Sequence, residues 1–187
     1  SLSVYNTGYQ RCEAGYTWGP GTRDHYLFHY VTRGCGSLST PSGTIQVGPG
    51  GLFLIRPAEL VTYTASRDDP WSYCWVGFNG TEAHRLINLT GFAHGERLLY
   101  PENGRQIQEQ LMRITDARGS NSAHEARMLG YLYLFLGGLM SLSPSRLTTS
   151  KQYVDKAALF ISRNYSRDIT IRDVADFVGV SESHLYR

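Results

Sequence analysis

Residues 71–78 read Trp-Ser-Tyr-Cys-Trp-Val-Gly-Phe, an uncharged run that follows the turn sequence Arg67-Asp-Asp-Pro70. A short aromatic and β-branched run after such a turn predicts a β-strand, whose side chains alternate between two faces. The two faces would be Trp71, Tyr73 and Trp75 on one side and Ser72, Cys74, Val76 and Phe78 on the other. This strand would therefore separate two different environments.

The aromatic face of this strand offers flat apolar rings together with two indole N–H groups and one phenol. A sugar needs this combination, because its C–H faces are apolar and its edges are hydroxyl groups. Packing of aromatic side chains in an ordinary hydrophobic core would explain the same pattern. The strand alone therefore leaves a sugar site and a plain core as alternatives.

Short runs of similar character, separated by Gly and Pro, fill the sequence from Tyr5 to Leu99. The clearest of them are residues 26–32, 44–47, 52–55 and 61–65. Evenly spaced short strands without long helices between them favour an antiparallel sandwich or barrel. The mouth of such a barrel can enclose a small ligand.

After Leu99 the apolar residues recur every three to four positions, which is typical of helices. Residues 102–118 place Ile107, Leu111 and Ile114 on one stripe. Residues 123–142 are far more apolar, through Met128, Leu129, Leu132, Phe135, Leu136, Leu139 and Met140. This is more apolar surface than one side of a β domain needs, so we expect residues 101–143 to form a homodimer interface. Burial of all of it within one protomer is the alternative.

A small, polar segment with one Pro, residues 141–150, precedes the two lysines of the chain, Lys151 and Lys156. This change of composition is typical of a linker followed by a new domain. The predicted organisation is a barrel with room for a small ligand over residues 1–100, a helical dimerisation segment over 101–143, a linker over 144–150 and a further domain over 151–187.

The last twenty residues predict a helix, a tight turn and a second helix. Thr170 with Asp173 forms a capping-box pattern, Gly179 ends the first helix, and Ser181 is a suitable N-cap for the second. This is the helix-turn-helix plan, in which the second helix enters the DNA major groove. The side chains facing the groove would be Ser183, Tyr186 and Arg187. A helical hairpin without a DNA role has the same spacing.

Two groups of residues resemble AraC-type transcriptional regulators. Their first helix-turn-helix is similar to Asp173-Val-Ala, Val178-Gly-Val-Ser181, Leu185 and Arg187, and their sensing domain to residues 52–57, Tyr63 and residues 69–78. The resemblance implies a cupin-like jelly-roll barrel that senses a sugar, a homodimer, and operator DNA as a partner. In that family the recognition helix continues and a second helix-turn-helix follows, so the resemblance implies that this chain carries only the start of the DNA-binding domain.

The same resemblance implies a set of ligand-binding side chains, because sugar-responsive members of the family contact their ligand at matching positions. The matching positions are Gln10, Arg23, Tyr63, Tyr73 and Trp75. These positions are taken from an arabinose-responsive member of the family. Gln10 and Tyr73 stand where the family carries other polar residues, so the ligand of this chain need not be arabinose. The resemblance favours an oligosaccharide or a hexoside, sensed to control a sugar-utilisation operon. A carbohydrate-binding module without a DNA role is the alternative.

Enzymatic cupins hold a metal through paired histidines and a glutamate, and this pattern does not occur between Gly34 and Val61. His25 and His29 lie four residues apart, but two histidines do not complete a metal site. The three cysteines are too scattered for a zinc site. We therefore expect no enzyme activity, no metal and no cofactor; a cupin enzyme would need a bound metal.

The formal net charge is only +2, which gives no strong electrostatic case for nucleic-acid binding by these residues alone. No signal-peptide pattern opens the sequence. The most apolar stretch, residues 128–142, is too short for a membrane span and is interrupted by glycines. A cytoplasmic protein without membrane contact is the expectation.

Overall fold

The computed structural model describes residues 1–93, 95–142, 149–165 and 167–182. The chain divides into two compact units, Ser1–Pro144 and Ser145–Arg187, and each is described here by itself. The described part of the first unit contains the β-strands and three helices, and that of the second contains two helices. The expected class, mainly β with C-terminal helices, is confirmed.

Nine short strands account for the β structure among the described residues. They are β1 Ser3–Arg11, β2 Thr17–Gly21, β3 Tyr26–Arg33, β4 Gly36–Thr40, β5 Gly43–Val47, β6 Leu52–Ile55, β7 Val61–Ala65, β8 Ser72–Asn79 and β9 Leu98–Leu99. A five-stranded antiparallel sheet has the order β1-β8-β3-β6-β9, and a four-stranded antiparallel sheet has the order β2-β7-β4-β5. Within the described ranges no strand ladder closes the two sheets into a barrel.

The two faces of β8 lie in different hydrophobic cores, as its alternation predicts. Trp71, Tyr73 and the half-buried Trp75 pack with side chains of the four-stranded sheet, such as Leu38 and Tyr63. The opposite face packs with the helices, through Cys74, Val76 and Phe78. The five-stranded sheet is therefore the middle layer, with the second sheet on one side and helices on the other.

The helical layer of the first unit consists of α1 Ala83–Ile87, α2 Gly104–Asp116 and α3 Ser122–Leu142. The predicted stripe of α2, Ile107, Leu111 and Ile114, is fully buried in the core that the sheet shares with α3. Because apolar residues recur at helical spacing, α2 can turn this one stripe toward the sheet. None of the helices in the described ranges has the length and apolar character needed to cross a membrane.

The described part of the second unit contains α4, Thr149–Asn164, followed by α5, Ile171–Val178. The predicted capping box opens α5, because the Thr170 hydroxyl accepts from the Asp173 amide while the Asp173 carboxylate accepts from the Thr170 amide. Gly179 ends α5 at φ 80°, a left-handed conformation that favours glycine. The proposed DNA-contacting residues Ser183, Tyr186 and Arg187 lie outside the described residues.

We predict that Leu111→Ala destabilises the protein much more than Leu60→Ala. Leu111 is fully buried between α2 and the sheet, whereas Leu60 is 48% exposed. Removing the buried side chain leaves a cavity that costs about 2–5 kcal/mol, whereas the exposed change should cost no more than about 0.5 kcal/mol. Urea unfolding measures both, and equal losses would show that α2 does not anchor the core.

Candidate ligand-binding site

The five ligand-binding residues predicted from the resemblance come from three strands and one loop. Gln10 lies directly opposite Tyr73 in the β1–β8 ladder, and the Tyr73 hydroxyl donates to Gln10 Oε1 at 3.2 Å. Arg23 lies in the loop between β2 and β3, and its Nη2 donates to the Tyr63 hydroxyl at 3.4 Å. Four of the five side chains therefore pair with one another.

Aromatic contacts join these pairs into one connected group. The ring of Tyr73 lies 6.4 Å from the ring of Tyr63 and 6.0 Å from that of Trp75, edge to face in both cases. Such edge-to-face contacts fix the relative orientation of the rings. The structure thus brings the five predicted residues together at the inter-sheet core.

The indole of Trp75 is held from two sides. Its Nε1 donates to Asn6 Oδ1 at 3.1 Å. Its ring lies against the backbone of Gly8, where an added Cβ would come within 2.6 Å of two indole carbons. Because the indole is rigid, only glycine at position 8 allows this approach.

Trp18 and Asn6 belong to the same group and were not singled out from the sequence. Trp18 stacks on Tyr63 with ring centroids 5.1 Å apart, and the Arg23 guanidinium lies 3.9 Å above the Trp18 ring. A cation over an aromatic face is held electrostatically and sterically in one orientation. Strand alternation gives no signal for these contacts, because Trp18 belongs to the other sheet and Arg23 to a loop.

His29 lies at the centre of the aromatic group, with its ring 4.7 Å from those of both Phe53 and Tyr73. It is 2% exposed, and its Nδ1 has no hydrogen-bond partner within the described ranges. Burial, assisted by the positive charge of Arg23, lowers the pKa of His29 from 6.5 to about 3. His29 is therefore neutral at physiological pH and offers one unpaired buried nitrogen.

The two tyrosines remain neutral as well. Burial raises the pKa of the Tyr63 and Tyr73 phenols above the ordinary value of 10.0, and the hydrogen bond from Arg23 offsets only part of this for Tyr63. Two phenols, an amide and a neutral imidazole can exchange hydrogen bonds with an uncharged polar ligand. In the described part of the chain, no three His, Cys, Asp or Glu side chains are arranged to hold a metal ion.

A cleft of about 610 Å³ opens beside this group. It is lined by Tyr5, Thr22, Arg23, Asp24, His25, Pro57 and Ala58. Of the five predicted ligand-binding residues, only Arg23 lines it. We call the five predicted residues, together with Asn6, Trp18 and His29, the inter-sheet group. The cleft and the inter-sheet group are therefore separate features that share the side chain of Arg23.

We predict that acidification destabilises the wild-type chain more than a His29→Phe variant. Between pH 6.5 and about 3 the unfolded state binds a proton at His29 that the folded state does not bind, so stability falls as the pH falls. At about pH 5 this contribution amounts to a loss of about 2 kcal/mol relative to neutral pH.

Phe does not titrate, and its flat ring can stack on Phe53 as the imidazole does. The contribution of the other titrating groups to the pH dependence of stability is therefore the same in both proteins. Urea unfolding at about pH 7.5 and pH 5 measures the difference. An identical pH dependence of stability in the two proteins would mean that His29 binds a proton as readily in the folded state as in the unfolded state, which would contradict the prediction.

Three comparisons with known proteins extend this description. A family model described as the AraC-like ligand binding domain matches residues 3–134. The Msm operon regulatory protein of Streptococcus mutans is 31% identical over 196 aligned residues, which cover 100% of this chain and 69% of that protein. The lactose operon transcription activator of Staphylococcus xylosus is 28% identical over 86% of this chain and 60% of its own length.

The fold is also similar to a solved structure. The crystal structure of apo ToxT from Vibrio cholerae covers 96% of this chain and 72% of its own, with a TM-score of 0.51 and 11% identity. At this identity the likeness concerns the fold alone. The family match covers more than half of the chain, and it includes both sheets and most of the helical layer. The chain therefore belongs to the family of proteins with an AraC-like ligand-binding domain.

Proposed function

We propose that this chain is the sensing part of a transcription regulator that controls a sugar-utilisation operon. Its ligand would be a sugar in the form of a hexoside or an oligosaccharide. The observation that carries the proposal is the inter-sheet group, in which Tyr63, Tyr73 and Trp75 combine aromatic faces with hydrogen-bonding tips. Family membership supports it, as does the similarity to a regulator named for the lactose operon.

The chemistry of the group suits a neutral polyhydroxylated ligand. Aromatic faces can cover the C–H surface of a pyranose, while the phenols and the Gln10 amide exchange hydrogen bonds with hydroxyls. Arg23 presents a planar set of donors that suits two adjacent hydroxyls. The unpaired Nδ1 of His29 is one further polar atom in the same region. A charged ligand would lack a matching buried counter-charge at most of these positions.

Ligand binding at this group requires an exchange of hydrogen bonds. The Tyr73–Gln10 and Arg23–Tyr63 contacts would give way to contacts with sugar hydroxyls. Because hydrogen bonds are both lost and gained, the net contribution of each is modest. The stacking of sugar on Trp75 would then supply much of the affinity, and the polar tips would supply specificity.

Binding without catalysis is the proposed role, because the two relatives carry the names of a regulatory protein and an activator. A transcription regulator acts where the DNA is, so a cytoplasmic location in a bacterium follows from the proposal. The chain spans 69% and 60% of the lengths of these relatives. The DNA-bound activity therefore concerns the full regulator rather than these residues alone.

The C-terminal unit would contribute the start of the DNA-binding domain, predicted over residues 151–187, joined by a linker predicted at residues 144–150. The linker ends earlier than predicted, because α4 already begins at Thr149. The capped helix α5 and the left-handed turn at Gly179 support this, because they suit the first helix and turn of a helix-turn-helix. In the full regulator Ser183, Tyr186 and Arg187 would face operator DNA.

A homodimer through residues 101–143 completes the proposal. The apolar side of α3, from which the dimer was predicted, packs largely within the protomer, so the contact would involve the opposite side of the helix. The buried side chains are Met128, Leu132, Phe135, Leu136 and Leu139. The outer side of α3 is a row of exposed, mostly small residues at helical spacing. They are Ala126, Gly130, Leu134, Gly137 and Ser141. A Cβ added at Gly130 or Gly137 would meet no atom within 4 Å, so a second helix has room to approach closely. In a dimer with two-fold symmetry both copies contribute the same surface, so the proposed partner of this row is the same row of a second copy.

We predict that a saccharide raises the thermal midpoint of the chain and that Tyr73→Phe reduces this effect. At a hundredfold excess over its dissociation constant a ligand adds about 2.7 kcal/mol, which is about 5 to 10 °C for a chain of this size. The variant removes the hydroxyl beside Gln10 and should weaken binding roughly tenfold.

Tyr9→Phe is the matched control, because Tyr9 lies exposed on β1 and outside the inter-sheet core. Differential scanning fluorimetry with pentoses, hexoses, galactosides and glucosides measures the shifts. An absence of any saccharide shift in the wild type would refute the sugar-sensing proposal. Equal ligand-induced shifts of the thermal midpoint in Tyr73→Phe and Tyr9→Phe would show that the ligand does not contact the Tyr73 hydroxyl.

We predict that the chain is dimeric at micromolar concentration and that Leu134→Glu makes it monomeric. A carboxylate in the centre of an apolar interface loses its hydration without gaining a partner. Leu60→Glu, at an exposed leucine of the β6–β7 loop, is the control and should remain dimeric. Sedimentation velocity distinguishes the states, and a monomeric wild type well above micromolar concentration would contradict the proposal.

A further inference from the structure

The cleft lined by Tyr5, Arg23 and Asp24 adjoins the inter-sheet group, and of its lining only Arg23 belongs to the proposed sugar site. We propose that this cleft is a second sugar subsite, which binds the next ring of an oligosaccharide whose first ring lies at Tyr73 and Trp75. The inference rests on the proposed function and adds the length of the ligand to it. We call the cleft the outer subsite and the inter-sheet group the inner subsite.

The size of the outer subsite suits a sugar ring. Its volume, about 610 Å³, lies within the range of small-molecule sites in proteins. Strand β1, through Tyr5, and two loops build its walls, and the loops are tied together where the Ala58 amide donates to the Arg23 carbonyl at 2.7 Å. Ala58 adopts φ 61°, so the second loop turns sharply at this hydrogen bond. The walls are therefore fixed by backbone contacts.

The side chains of the outer subsite have carbohydrate chemistry. The ring of Tyr5 is 64% exposed and stacks by one face on His25, with centroids 4.5 Å apart. An exposed aromatic face beside polar groups suits the apolar face of a pyranose. The Asp24 carboxylate and the Thr22 hydroxyl lie in the same lining and can accept from sugar hydroxyls.

Asp24 is ionised at neutral pH and therefore a strong acceptor. The hydrogen bond from His25 lowers the pKa of the Asp24 carboxyl below its ordinary value. His25 Nδ1 lies 2.7 Å from one carboxylate oxygen, Oδ1, and the Asp24 side chain is mostly exposed. The carboxylate thus keeps accepting capacity for a ligand.

Arg23 connects the two subsites. Its side chain is part of the lining of the outer subsite, and its Nη2 donates to the Tyr63 hydroxyl of the inner one. Its Nε is buried without a partner among the described residues. A guanidinium carries five N–H groups in a rigid plane, so it can donate to hydroxyls on both sides of a glycosidic linkage.

A chain of side-chain hydrogen bonds makes a second connection. The Trp75 indole can only donate, so Asn6 accepts it through Oδ1 and directs its amide NH₂ toward His25 Nε2 at 3.4 Å. Nε2 therefore acts as an acceptor, and the proton lies on Nδ1, which donates to Asp24. The orientation of Trp75 in the inner subsite is linked in this way to the carboxylate of the outer one.

The test compares galactose with lactose, a disaccharide that adds one ring, by isothermal titration calorimetry. The variants are Tyr5→Ala, which removes the aromatic face, and Tyr5→Phe, which keeps it. Tyr9→Ala is the matched control, because Tyr9 is an exposed tyrosine of the same strand that does not line the cleft.

Tyr5→Ala should weaken lactose binding about tenfold or more and change galactose binding less than about twofold. Tyr5→Phe and Tyr9→Ala should retain lactose affinity. If the wild type binds lactose but not galactose, a selective loss in Tyr5→Ala against Tyr9→Ala supports the outer subsite equally. Circular dichroism of each variant shows whether it is folded.

Three results would overturn the outer subsite while leaving sugar sensing intact. They are unchanged lactose affinity in a folded Tyr5→Ala, equal losses for both sugars, and a wild type that binds galactose but not lactose. A wild type that binds neither of these sugars, nor any other saccharide, would instead refute the proposed function, and the outer subsite with it. The two failures are therefore distinguishable.

Discussion

The burial of both faces of β8 is the constraint on which the rest of the structure depends. β8 pairs with β1 on one side and with β3 on the other, so its backbone is fixed along its length. Its side chains alternate between the inter-sheet core and the core beneath the helices. A slip of one residue would send Tyr73 and Trp75 toward the helices and Cys74 and Val76 toward the second sheet. Because two large aromatic side chains would exchange places with a thiol and a small branched side chain, one core would be overpacked and the other would contain cavities.

Where a local pattern decides the structure, the sequence was a good predictor. β6 and β7 have the predicted bounds, because Gly51 and Pro57 bracket one apolar run and the other alternates strictly up to Ala65. The capping box at Thr170 and the turn at Gly179 occur as predicted, since both depend on residues at most a few positions apart. In contrast, α1 has only five residues, too few for helical periodicity to show. The closure into a barrel depends on long-range pairing, which alternation alone does not determine.

The inter-sheet group shows the same division between local and distant information. The resemblance predicted Tyr63, Tyr73 and Trp75, and the alternation of β8 placed two of them on one face. Asn6 and Trp18 were missed because their contacts with Trp75 and Tyr63 join residues far apart in the chain. His29 carried a weak signal, as a histidine within an otherwise apolar and aromatic strand. A lone histidine of this kind is as compatible with a core as with a site, so only its unpaired Nδ1 makes it notable.

The polar contacts of Trp75 link β8 both to the candidate site and to the helical layer. Its side chain donates to Asn6, whose amide group in turn contacts His25 in the lining of the cleft. Its backbone carbonyl accepts from the Thr7 hydroxyl at 2.9 Å, and Thr7 lies 2.7 Å from the Thr115 hydroxyl of α2. Because a hydroxyl has one proton, Thr7 gives its own to the carbonyl, and the single proton of Thr115 has two acceptors within reach, Thr7 Oγ1 at 2.7 Å and the Leu111 carbonyl at 3.2 Å. A shift of β8 at Trp75 would therefore strain the partly buried hydroxyl pair between Thr7 of β1 and Thr115 of α2, whereas apolar contacts alone could slide. A ligand would use this route only if it binds one position of β8 more tightly than another.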